Sequence, residues 1–265
     1  MILIATEDGV YDLSGKRRCC KGKEVYDLLE DYFCAWEGVY KLPTEEKIEG
    51  RSCWRLVKAE DRIYASIEGP VLLDLHRGRE IDLSRFAKEL GWHFPHGPPH
   101  ITDVTRFKEE WIVAVEVGHM LAGPSLEELK PLGFKHDQHN LLPHGRFLLV
   151  ATAAGIYYTA DLSNFAFAEG SAGYAHALLY CRGRLYSHVM KNTPIIESAD
   201  GRQWRNLDII KLPPPTFGTT ALGCYNAELI YSTTSTYVIR DGDRDVILKG
   251  HPMTKRVIVE GSKFL

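Results

Sequence analysis

The sequence predicts an all-β chain folded as a seven-bladed β-propeller of four-stranded antiparallel blades. The first observation behind this is a phrase that returns seven times along the 265 residues. Each copy has two or three apolar residues, a small residue, a short polar turn and a second apolar-aromatic run. It begins as Leu3-Ile4-Ala5-Thr6-Glu7-Asp8-Gly9-Val10-Tyr11, recurs at 33–40, 63–71, 112–118 and 149–157, and is weaker at 185–196 and 230–239. Each copy reads as a strand, a tight turn and a second strand. The second observation is the spacing. The small residue falls at Ala5, Ala35, Ala65, Ala114, Ala151, Ser187 and Ser232, and about 38 residues per copy suits one blade. The third is at the ends: the chain opens on a second strand and closes on a first.

Taken in order, the second strand at Met1 needs a first strand from elsewhere. An insertion at about 77–105 interrupts the pattern. Within it, 82–90 has Asp82 as an N-cap and apolar residues at 83, 86, 87 and 90, the spacing of a short helix. A second short helix is expected at 125–130, between an N-cap Ser125 and the stop at Pro131. The clearest blade has strands at 174–181, 185–189, 194–198 and 203–209, with Asp200-Gly201 as a hairpin turn. The next repeats it at 219–224, 229–233, 236–240 and 246–249. The segment 255–263 then reads as a first strand plus its turn, with little left to finish a blade. Joining both termini in one blade closes the ring and removes exposed strand edges. A single domain over 1–265 is therefore expected.

Composition narrows the function classes. A net charge of −3 and a pI near 6.4 speak against nucleic acid or an anionic membrane surface as partner. No apolar run approaches the roughly 18 residues of a membrane helix. The first residues are strand-like with no basic leader, so a cytoplasmic location is expected. Two glutamines and five asparagines in the whole chain suggest a thermophilic source, since these amides are thermolabile. The six cysteines form no C-x-x-C pair, which speaks against a zinc ribbon; a thermophilic source allows an intracellular disulfide, but spacing does not choose the partners.

The segment Ser198-Ala199-Asp200-Gly201-Arg202-Gln203-Trp204 resembles an Asp-box, the hairpin of bacterial-neuraminidase-repeat propellers. Thr159-Ala160-Asp161-Leu162-Ser163-Asn164-Phe165 has the same spacing of hydroxyl, Asp and aromatic. In such a turn the carboxylate accepts from turn amides and the aromatic packs between strands. The resemblance, to the class that includes sialidases, sortilin-type receptors and photosystem-assembly-factor-like propellers, implies fold and not activity. The arginine signature of sialidases is not recognisable, so none of their catalytic residues is carried over.

Propeller geometry places the entries to first strands and the turns between second and third strands on one face. His100, His139, His176 and His251 sit at such entries. Glu7, Glu37, Glu68 and Glu116 sit in such turns, with His119 just after one. The insertion adds His93 and His96 to that face. Imidazoles and carboxylates at one channel mouth suit a divalent transition metal, with the four histidines as ligands and Glu68 or Glu116 as general base. The structural alternative is loop hydrogen bonding around a solvated, acidic funnel that attracts cations or basic peptides. Asp241-Gly242-Asp243-Arg244-Asp245 fails as a calcium loop, because Val246 and Pro252 stand at its glycine and final glutamate positions. Trp36, Trp54, Trp92 and Trp111 read as blade core or as a sugar-stacking rim. P-loop, dinucleotide, zincin and serine-hydrolase motifs are absent. The expectation is a binding or scaffold module for a protein, peptide or small ligand at the channel face. A metal-dependent lyase or hydrolase is the alternative, and a lectin-like binder the third reading.

Overall fold

The computed structural model describes residues 1–93, 97–208, 210–216 and 219–259. They form seven four-stranded antiparallel sheets arranged as a ring of blades. In blade 1 the innermost strand is Thr254–Val259, followed outward by Ile2–Thr6, Gly9–Asp12 and Arg17–Cys19. The first blade is thus built from both ends of the chain, as the sequence predicts. The innermost strands of blades 2 to 7 are Val25–Leu29, Cys53–Ala59, Ile101–Phe107, Gln138–His144, Ala175–Cys181 and Leu222–Tyr225. Each packs against the next around the ring, and that of blade 7 packs against that of blade 1.

The alternation of the sequence becomes an arrangement of seven apolar clusters, one at each blade–blade interface. Phe33, fully buried and stacked at 4.8 Å on Tyr40, belongs to the cluster between blades 1 and 2 with Leu3, Val10 and Ile258. The second strand of each blade is buried between its neighbours while the outermost strands are largely exposed, so no blade is a stable unit alone.

The insertion is shorter than its sequence pattern suggests. Glu80–Asp82 is the outer strand of blade 3, and the helix covers Ser84–Glu89. Leu83 stands at the helix N-cap, while the Asp82 carboxylate accepts from the Ser84 N–H at 2.7 Å. Phe86 and Trp92 pack into the cluster between blades 3 and 4. The second expected helix does not form. Residues 125–129 are a turn whose Leu126 and Leu129 enter that same cluster, and the outer strand Lys130–His136 starts at once. Lys130 and Pro131, the end of the expected helix, pair instead with Ala122 and Leu121 in the sheet. His96 and the turn expected at 261–263 lie outside the described residues.

The hairpin turns at Asp161 and Asp200 behave as their residues require. Asp200 Oδ1 accepts from the N–H groups of Arg202 and Gln203, and Asp161 Oδ1 from those of Ser163 and Asn164. These bonds hold the Asp161 carboxyl below the usual carboxylate range. Asp12 and Asp74 cap outer hairpins of blades 1 and 3 in the same way. The cysteines pair as Cys19–Cys20, Cys34–Cys53 and Cys181–Cys224. The second joins blades 2 and 3, the third blades 6 and 7.

Candidate functional site

One local irregularity builds the channel mouth. In blades 1 to 6 the innermost strand carries a bulge near its start, where one residue is skipped in the pairing. The skipped residues are Lys255, Tyr26, Trp54, Thr102, His139 and His176. A bulge re-aims a side chain that strict alternation would direct elsewhere. All six line one cavity of about 270 Å³ at the mouth, joined by Thr220 of blade 7. Ahead of each bulge a repeated hydrogen bond fixes the rim. The carbonyls of Met253, Glu24, Ser52, His100, Asp137 and Tyr174 accept from the N–H groups of Glu7, Trp36, Glu68, Glu116, Ala153 and Met190.

The residue after each bulge forms a second tier below. In blades 1 to 5 it is Arg256, Asp27, Arg55, Asp103 and Asn140, alternating in charge until the neutral amide. Arg256 Nε lies 3.3 Å from Asp27, Arg55 Nη1 3.8 Å from Asp27, and Arg55 Nε donates to Asp103 at 3.0 Å. Asn140 Nδ2 donates to Asp103 at 2.5 Å. The same side chains lace the blades together: Asp27, Asp103 and Asn140 accept from the N–H groups of Leu56, Leu141 and Leu178 in the next blade. Those backbone groups face the channel and have no sheet partner there, so side chains supply one. Asp27 and Asp103 are buried. Burial pushes the Asp27 carboxyl up against the pull of Arg55.

Above this belt the wall has two chemically distinct sides. One is aromatic: Trp36 is 53% exposed and meets Trp54 edge-to-face at 6.2 Å and 81°. Trp54 stacks on His100 at 4.2 Å, and His100 Nε2 lies 2.8 Å from Glu116 Oε2. The other is a stack of imidazoles. His139 lies 4.7 Å from His176, which lies 5.5 Å from His188. His139 Nδ1 sits 2.6 Å from the Ala175 carbonyl, so it carries the proton there, and Nε2 faces Asp137 at 3.2 Å. Tyr174 donates to the other Asp137 oxygen at 3.1 Å. Burial pushes the Asp137 carboxyl up, but contact with His139 and Tyr174 holds it below its ordinary value. Burial, with Asp137 adding to it, pushes the Tyr174 hydroxyl well up. Burial and two neighbouring imidazoles hold His176 neutral, and burial lowers His188 to about 3.

The structure brings His100, His139, His176 and Glu116 to this cavity. His251 stays outside it: Nε2 lies 2.9 Å from Thr236 Oγ1, and Nδ1 2.8 Å from the Pro252 carbonyl. His251 lies three residues before Thr254, whereas His139 and His176 share the bulge position. Among the described residues no group of three or more His, Cys, Asp or Glu is placed to hold a metal ion. Glu7 reaches Lys255 at 3.4 Å. Glu37 is displaced by one position, with Trp36 standing where Glu7, Glu68 and Glu116 stand in their blades. Glu37 and Glu68 are exposed. His119 accepts from the Trp92 indole at 3.0 Å, and burial lowers its pKa. Trp92 and Trp111 are core, as alternation suggests, while Trp36 and Trp54 are not. No motif or spacing singles out Tyr26, Asp137, Tyr174 or Lys255. The signal that finds them is position relative to the bulge.

No protein-family model matches the chain, and no curated protein matches it. Among solved structures, the chain is similar to the computationally designed Ika8 protein, at 14% identity and a TM-score of 0.61, covering 97% of this chain and 87% of that one. It is also similar to BamB from Moraxella catarrhalis, at 8% identity and a TM-score of 0.59, covering 97% and 88%. The extracellular domain of BT4673 from B. thetaiotaomicron aligns at 9% identity and a TM-score of 0.65, over 89% of this chain; the match spans 36% of that chain. At such identities the likeness is one of fold.

Proposed function

We propose that the chain is a binding module that takes its ligand at the channel mouth. The observation that carries this reading is the bulge repeated in six blades. Each bulge gives up ladder pairing and turns one side chain into a common cavity. The six side chains differ in chemistry, so core packing does not account for the repetition. An aromatic wall with a few convergent polar groups is the usual make-up of a ligand pocket. The cavity suits a small molecule or one protruding side chain of a peptide or protein partner. A thermal-shift screen of a metabolite and peptide collection, run on the protein and on Trp54→Ala, tests it. Stabilising compounds should lose their effect in the variant. Compounds that stabilise both proteins equally would place the site elsewhere.

A catalytic reading draws on the two carboxylate–imidazole pairs of the same wall, Glu116–His100 and Asp137–His139. Such pairs suit general acid–base chemistry. Elemental analysis of protein purified without chelator or nickel resin tests the metal-dependent form. A near-stoichiometric transition metal lost in His139→Ala and His176→Ala would support it.

A further inference from the structure

We propose that the group recognised at the channel mouth is an organic cation, an alkylated or quaternary ammonium seated between Trp36 and Trp54. The inference rests on the reading of this cavity as a ligand site and names its chemistry.

The geometry of the rings is the first argument. Trp36 and Trp54 stand at 81° with centroids 6.2 Å apart. Two perpendicular faces cannot both lie flat on one sugar ring, but they form two walls around a compact group. Tyr26 lines the same cavity. Its face already carries an ammonium of this chain: Lys255 Nζ lies 5.4 Å from the ring centroid and 2.6 Å from Glu24. That arrangement shows the local chemistry accepting a cation on an aromatic face beside a carboxylate.

The charge balance is the second argument. Arg55 and Arg256, which line the floor of the cavity, are neutralised by Asp27 and Asp103. Above them Lys255 is shared by Glu7 and Glu24. Glu116 lines the cavity, and Asp137 stands behind His139. The mouth tier is therefore acidic in excess, and a low-dielectric funnel focuses that potential on cations.

The third argument is Glu116. Its side chain is 7% exposed and lines the cavity. Among the described residues its Oε2 has no aligned hydrogen bond, although it lies 2.8 Å from His100 Nε2. A carboxylate oxygen has room for a further partner beside one imidazole. A ligand cation in the cavity supplies that partner.

The test is isothermal titration of the full chain with choline, with its neutral isostere 3,3-dimethylbutan-1-ol, and with methyl glucoside, at low salt. Choline should bind about tenfold or more tightly than the isostere, the scale of one desolvated cation–π contact. Trp36→Ala and the isosteric Glu116→Gln should each weaken choline about fivefold or more. Tyr180→Ala, an exposed aromatic at the far end of its strand, should leave binding unchanged. Equal binding of choline and the isostere, or preference for the glucoside, overturns the cation while leaving the cavity a ligand site. Failure of choline to bind also overturns the cation, and the thermal-shift screen then decides the fate of the cavity separately.

Discussion

Removing Asp103 should destabilise the whole ring, because Asp103 joins the innermost strands of blades 3, 4 and 5. Asp103 is 2% exposed and serves five donors. Arg55 approaches it through Nε and Nη2, both at 3.0 Å. Asn140 Nδ2 lies at 2.5 Å, and the N–H groups of Val104 and Leu141 at 3.0 and 2.9 Å. In Asp103→Ala, Arg55 keeps only Asp27 at 3.8 Å. Breaking a buried ion pair from one side costs about 3–5 kcal/mol, and part of that range already contains the orphaned amides. Water entering the channel offsets some of it, so about 3 kcal/mol is expected. Urea unfolding followed by tryptophan fluorescence measures it. A cycle with Arg55→Met sharpens the test. Once both charges are gone the penalty of an unpaired ion disappears, so the double variant should be more stable than Asp103→Ala alone. A loss below about 1 kcal/mol for Asp103→Ala, with simple additivity in the cycle, would refute the belt as a structural device.

Other expectations follow from the same geometry. His188 is buried, and its folded pKa of about 3 lies below the ordinary 6.5. Between those values the unfolded chain binds the extra proton, so stability is intact above about pH 6.5 and falls as pH drops toward 3, by at most about 4–5 kcal/mol. His188→Phe should flatten that limb in pH-dependent unfolding; an unchanged slope would assign it to other groups. The Cys34–Cys53 and Cys181–Cys224 bridges enclose separations of 19 and 43 residues. On the chain-entropy model their loss should cost about 3 and about 4 kcal/mol, read as the difference in unfolding midpoint with and without reductant. Identical midpoints would mean the bridges do not form. Phe33→Ala empties the cluster between blades 1 and 2 and should cost about 3–5 kcal/mol in the same assay.

The fold was legible in the chain because its signals are local and repeated. Apolar alternation marks each strand, and the incomplete blades at the two ends complement each other, which predicts closure through Ile2–Thr6 beside Thr254–Val259. The site was only half legible. A one-residue slip sends a side chain to the other face, and nothing in the residue types of Val25-Tyr26-Asp27 announces a bulge. Counting from strand entries therefore grouped His251 with His139 and His176, although the bulge groups His176 with His139, Trp54 and Tyr26. It likewise selected Glu37 where the rim position belongs to Trp36. The hydroxyl–Asp–aromatic spacing found the turns at Asp161 and Asp200, but missed those at Asp12 and Asp74. There the carboxylate caps the turn without the aromatic that completes the pattern. The expected helix at 125–130 failed because its last residues pair in the outer strand of blade 4, a long-range contact that local spacing does not show.

The most direct test of the channel mouth as the binding site is a nitrogen-15 correlation spectrum of the tryptophan indoles during titration with compounds from the thermal-shift screen. The chain has five tryptophans, each giving one indole resonance. Trp36 and Trp54 border the cavity, whereas Trp92, Trp111 and Trp204 are 7%, 8% and 6% exposed in the blade interfaces. The account predicts that binding moves the Trp36 and Trp54 signals together, in proportion to occupancy, and leaves Trp111 and Trp204 where they were. Binding that leaves Trp36 and Trp54 unmoved would contradict it.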